Sequence, residues 1–185
     1  MPRLDEIRTD YEDQADDLRQ LGDEELAAEM EQRALNIDSA IRETRTATAV
    51  NLGQAEIRDL PGDTAGTYNI ATKGIELETN IIKDPEVLTH VGIHEGKHAQ
   101  NKREGDEEII VDVDFEEALT ERSTAQVTGE VRAYPHLVHM VDEVARSTGH
   151  TSNQVIDLFE RGQNAKLNQL YSQAYDDQQP LQEAA

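Results

Sequence analysis

The chain has 185 residues, which is enough for one domain with a real core, or one small domain with helical additions, but not for a second enzyme domain. Its 39 acidic residues against 17 basic ones give a formal net charge of −22, which sets nucleic acid aside as a partner, because phosphate binding needs clustered cations. Cysteine is absent, so disulfides and thiolate ligands are excluded and any metal has to be held by histidine and carboxylate.

Residues 3–45 are rich in helix-forming Glu, Gln, Arg, Leu and Ala, with a break at Gly22-Asp23. Asp23 predicts the cap of a second helix, whose Ala27, Met30, Ala34, Ile37 and Ile41 approximate a 3.6-residue apolar stripe. Asp10, Glu12, Asp13, Asp16 and Asp17 read as a solvated face of the first helix, the alternative being an acidic arm over a cleft. From Thr46 the pattern changes to short β-like runs at 47–52 and 55–58, followed by the turn signal Leu60-Pro61-Gly62-Asp63. Runs 66–72 and 75–81 flank Lys73-Gly74 and predict a hairpin. Asp84-Pro85-Glu86 has the order of an N-cap, a proline at the first helical position and an acidic first turn, with Gly105 as the stop. Asp114 is read as the cap of a helix through Phe115, Ala118, Leu119 and Ala125. Residues 134–149 predict a further helix, and a last one begins near Thr151-Ser152.

The expected fold class is therefore α+β, mostly helical, with a small antiparallel sheet or hairpin ahead of the 85–104 helix. The expected organisation is an acidic helical segment at 1–45, a main domain at 46–175 and a disordered tail at 176–185. Only five of the basic residues are lysine, and an acidic, lysine-poor surface suits a halophile-type protein whose self-repulsion is screened by salt. The alternative is an acidic interaction module. No apolar run approaches membrane-spanning length, and Met1-Pro2-Arg3-Leu4-Asp5 lacks the apolar core of a signal peptide. A cytoplasmic protein with no membrane partner is expected, and the oligomeric state is not legible.

The stretch with chemistry in it is His94-Glu95-Gly96-Lys97-His98, an H-E-x-x-H pattern inside the predicted helix. Residues four apart on a helix sit one above the other, so His94 and His98 present two imidazoles to one point and can hold zinc. Glu95, rotated by about 100° from His94, has its carboxylate beside the metal. Gly96 should lie on the far face, where its small size allows close packing. The longer pattern H-E-x-x-H-x-x-G-x-x-H fails, because Asn101 and Glu104 occupy its glycine and third histidine positions. A third ligand has to come from elsewhere. Glu117 and its neighbour Glu116 are both candidates, with Glu121 one turn beyond Glu117, although Asp114 with Glu117 also resembles a capping box. His136 and His139 are the runners-up, and His90 reads as a supporting or packing residue. A ferritin-like di-metal bundle would need two E-x-x-H motifs, and only Glu95 with His98 supplies one.

His94-Glu95-Gly96-Lys97-His98, an eighteen-residue gap and then Glu117-Ala118-Leu119-Thr120-Glu121 resembles the gluzincin clan of metallopeptidases, and by size the compact minigluzincins. The resemblance covers residues 66–145 and implies a zincin-like catalytic domain in which His94, His98 and Glu117 hold Zn2+ and Glu121 supports a ligand histidine. It also implies that Glu95 takes a proton from water and passes it to the leaving amine of a peptide or protein substrate. Tyr134 is implied as an oxyanion donor, and the strand 75–81 resembles an edge strand to which an extended peptide adds. A covering N-terminal segment would make such an enzyme latent. The alternative function is a catalytically inactive or autoinhibited, metal-stabilised protein-binding module on the same scaffold.

Overall fold

The first helix, α1 (Leu4–Leu21), begins where the backbone N–H of Arg3 donates to the Glu6 carboxylate at 2.8 Å. It ends at Gly22, whose φ of +83° lets the chain turn back so that the N–H groups of Gly22 and Asp23 cap the carbonyls of Arg19 and Leu18. Asp23 then caps α2 (Glu24–Thr48) by accepting the Leu26 N–H at 3.1 Å. The predicted stripe is real, with Ala27, Met30, Ala34, Ile37 and Ala40 buried and Ile41 packed beside them. The five acidic residues singled out on α1 are all exposed. The computed structural model describes residues 1–104 and 109–176, so Gly105 lies outside the described residues, as does the expected tail from 177 onwards.

The architecture is α+β, mostly helical with one small mixed sheet. Strands β1 (Glu56–Arg58), β2 (Gly66–Asn69) and β3 (Gly74–Glu78) lie in the order β1-β3-β2. The hairpin β2–β3 is antiparallel as expected, with Tyr68 opposite Ile75, and its loop is closed by Asn69 Oδ1 accepting the N–H groups of Ala71 and Thr72. The purely antiparallel expectation is corrected by β1, which runs parallel to β3 with Ile57 opposite Leu77. The other side of β1 is covered by the segment entering α1, through Leu4 N–H to Ala55 O and Ile57 N–H to Pro2 O, both 3.0 Å. The strand 75–81 is therefore not an edge: its first part is central in the sheet, and residues Thr79–Lys83 leave it as a 3-10 helix.

The β-like reading of 47–52 is also corrected. Helix α2 continues to Thr48, with the Thr46 and Thr48 hydroxyls donating to the carbonyls four residues earlier, and Leu52–Gln54 is a 3-10 turn.

Two compact units divide the chain, Met1–Ala99 and the residues from Gln100 on. The first has a core in which Leu4 and Ile37 meet Ile57, Leu77 and Leu88. Helix α3 (Pro85–Glu104), whose residues up to Ala99 belong to this unit, starts as predicted, with Asp84 Oδ1 accepting the N–H groups of Glu86 and Val87 at 3.1 Å.

The second unit contains α4 (Val113–Thr128), α5 (His139–Ser147), α6 (Ser152–Glu160) and α7 (Asn164–Asp176) around Phe115, Leu119, Val141, Val155, Phe159 and Leu167. Helix α4 is capped by Asp112, which accepts the Phe115 N–H at 2.8 Å, and not by Asp114. That placement removes the capping-box reading of Asp114 with Glu117. Helix α5 starts at His139 and not at 134, because the residue before a proline is kept out of the helical region, and Tyr134, before Pro135, has φ +47°. Helix α6 is capped by Thr151 as expected, and α7 was not anticipated. Among the described residues no helix is long and apolar enough to cross a membrane.

Candidate metal centre

Helix α3 carries three of the six candidate residues, His94, Glu95 and His98, and its faces are sharply divided. The rings of His94 and His98 are one turn apart, with centroids 5.1 Å from each other and planes at 68°. His94, Glu95 and His98 are all at least nine-tenths buried, at 5%, 7% and 9% exposure. Placing two imidazoles and a carboxylate out of water is costly unless each is satisfied, so their concentration on one stretch of helix marks a site.

Between the two histidines in sequence, Gly96 lies roughly 160–200° round the helix from both. A Cβ on Gly96 would stand 2.7 Å from Thr48 Oγ1, and one on Gly92 would stand 2.5 Å from Leu52 Cδ2 and 2.8 Å from Thr44 Oγ1. The far face of α3 is thus pressed onto α2. Glu95 projects toward the sheet, since a Cβ on Gly66, the first residue of β2, would meet Val91 Cγ1 at 2.6 Å and Glu95 Cγ at 3.1 Å. Lys97, on the flank, is buried at 5% exposure.

On α4 the cap at Asp112 sets the rotation of the glutamates that follow. Glu116 is held by Lys102, whose Nζ is 3.1 Å from its carboxylate. Glu117 is half-buried, and its carboxylate oxygen and the ring nitrogens of His94 and His98 all lie within 4.8 Å of one another. Among the described residues this is the one group of three histidine or acidic side chains drawn together closely enough to hold a metal ion. Of the two adjacent glutamates, it is Glu117 that joins the histidines.

Glu121, one turn beyond, is fully buried, and its Oε1 accepts the backbone N–H groups of Arg132 and Ala133 at 2.7 and 3.0 Å. These bonds were not legible in the sequence, since nothing in Arg132-Ala133 marks their amides as partners of a distant carboxylate. They fix the loop that leads into Tyr134, which is 41% exposed. His136 and His139 are exposed and do not belong to the metal-holding group, nor does His90, which is buried one turn before His94.

No family model matches the chain, and comparison with curated proteins and with solved structures gave no match. What the protein does has to be argued from the site itself.

Proposed function

We propose that the protein is a zinc-dependent metallopeptidase of gluzincin type, in which His94, His98 and Glu117 hold the metal and Glu95 is the general base. The observation that carries this reading is the gathering of those three donors within 4.8 Å of one another. Two imidazoles and one carboxylate are a donor set that zinc uses in hydrolases, leaving a fourth position open. When bound, zinc supplies Lewis acidity, polarising a scissile carbonyl and making water a nucleophile near neutral pH.

The remaining steps belong to the chain. Glu95 takes the proton of the attacking water and passes it to the leaving amine, which requires its carboxylate to be held close to the reacting carbonyl. Its contact with the Gly66 end of β2 supports that role. Strand β2 lies at the edge of the sheet order and offers an extended peptide backbone pairing. The acidic, lysine-poor surface favours assay in high salt.

The test has two stages. Zinc content of the purified protein is measured first, then cleavage of unstructured peptides in high salt by the wild type and by Glu95→Gln. The expected result is one zinc per chain in both proteins and cleavage by the wild type alone. Absence of zinc, or equal cleavage by both proteins, ends the reading, and zinc without cleavage identifies a metal-stabilised binding module.

A further inference from the structure

Helices α2 and α3 meet at positions where one of them has no side chains. Gly92 and Gly96 are one turn apart on α3, and facing them one turn apart on α2 are Thr44 and Thr48, which are 0% and 2% exposed. Glycine in the middle of a helix is unfavourable relative to alanine, so two of them at helical spacing call for a local reason. The reason is steric. At Gly96 a Cβ would meet Thr48 three times over, at Oγ1 2.7 Å, Cγ2 3.0 Å and Cβ 3.1 Å. Thr48 has little freedom to yield, because its Oγ1 donates to the Thr44 carbonyl at 2.8 Å and accepts the Val50 N–H at 3.2 Å.

We propose that Thr48 is a positioning residue for the metal-binding helix: lodged against Gly96, it sets how closely α3 lies on α2 and therefore where the His94 and His98 imidazoles stand. The inference rests on the metal-centre reading above and deepens it. Because Gly96 lies opposite both histidines on the helix, any displacement of α3 away from α2 moves the two donors together and in the same direction, relative to the rest of the first unit. The end of α2 then acts as the back wall of the site. Thr44 with Gly92 repeats the arrangement one turn earlier, so the spacing is held at two points and α3 cannot tilt about one of them.

The test is a double-mutant cycle in the full chain, Gly96→Ala, Thr48→Ala and the two combined. It is read by zinc affinity in competition with a chromophoric chelator, by the ligand-field absorption of the Co2+ form, and by far-ultraviolet circular dichroism. Gly96→Ala is expected to keep its helix content, lose about tenfold or more in zinc affinity and shift the Co2+ bands, since misplaced support of ligands costs roughly 10–100-fold. Adding Thr48→Ala to it is expected to return the affinity to within about threefold of wild type and restore the bands. A Gly96→Ala protein with wild-type affinity and spectrum, or a double variant no better than the single one, overturns the proposal. If Gly96→Ala does not fold, the double variant decides. Recovery of fold and zinc affinity supports the seat, and continued failure to fold overturns it. A wild-type protein that binds no metal defeats the metal-centre reading itself, together with this inference, and is recognised before any variant is compared.

Discussion

The buried carboxylate of Glu121 accepts the backbone N–H of Arg132 at 2.7 Å, so a side chain on α4 holds the main chain of the loop that precedes Tyr134. A second bond from Ala133 N–H, at 3.0 Å, goes to the same oxygen. Glu121→Ala would leave both amides without that acceptor. Hydrogen bonds to a charged group contribute about 1.5–3 kcal/mol each, so a loss of roughly 2–5 kcal/mol in unfolding free energy is expected. Urea denaturation measures it, and a change below ~0.5 kcal/mol would show that water replaces the carboxylate at no cost.

Replacing any of His94, His98 or Glu117 removes a donor from the group of three, and each substitution to alanine is expected to weaken zinc binding by more than ~100-fold. Glu116→Ala serves as the neighbouring control. It breaks the pair with Lys102, which lies at 3.1 Å, and should leave zinc affinity within about threefold of wild type. Isothermal titration separates the two outcomes, and an effect at Glu116 equal to that at Glu117 would sink the ligand assignment.

For Glu95 the expected pattern differs, because the role proposed for it is proton transfer and not metal binding. Glu95→Gln should retain zinc while peptide cleavage falls by about 10²–10⁴-fold, the range that general acid–base catalysis contributes. Single-turnover cleavage, run beside metal analysis of the same sample, gives both numbers. Loss of zinc in Glu95→Gln would mean that the residue supports the ligands instead.

These substitutions touch residues of unequal legibility. The α3 helix could be read because Asp84-Pro85 announces its start locally and His94 with His98 has the spacing of one turn. The choice of Glu117 over Glu116 came with the eighteen-residue gap of the resemblance, whereas the cap of α4 was misplaced at Asp114, since one aspartate resembles another until the N–H it accepts is known. The β2–β3 hairpin was visible because its turn residues are contiguous, whereas the pairing of β1 with β3 joins residues about twenty apart with no local mark. Helix α7 was hidden by its glutamines and asparagines. Its buried Leu167, Leu170 and Ala174 do follow helical spacing, and that signal was available. The seat of Gly96 on Thr48 was half legible: the glycine implied a close approach, and only the fold supplied what approaches it.

Two tyrosines on α7 give the second unit an alkaline signature. Burial, then the hydrogen bond to Glu143 at 3.1 Å, pushes the Tyr175 phenol from its ordinary value of 10.0 up to about 12. Tyr171 is raised in the same way, by burial and then by its 2.6 Å bond to Asp112. A raised value means that the folded protein holds the phenolic proton more tightly than the unfolded chain does. The stabilisation is complete below pH 10 and is lost as pH climbs through about 12. The urea midpoint should therefore fall across that window, and more shallowly in Tyr175→Phe. Ultraviolet titration of the wild type beside Tyr175→Phe should assign a phenol ionising near pH 12 to Tyr175, and assignment of a transition near pH 10 to it would contradict the prediction.

The mixed pairing of β3 has a kinetic consequence. Its antiparallel neighbour β2 is reached through a loop of four residues, Ile70 to Lys73, while its parallel neighbour β1 closes a much longer loop. Short loops close faster and at smaller entropic cost, so the hairpin forms first and β1 docks onto an existing template. Weakening the hairpin should then slow folding, and weakening β1 should chiefly hasten unfolding. Because β2 is also the strand against which Glu95 packs, the wall beside that carboxylate is in place before β1 docks.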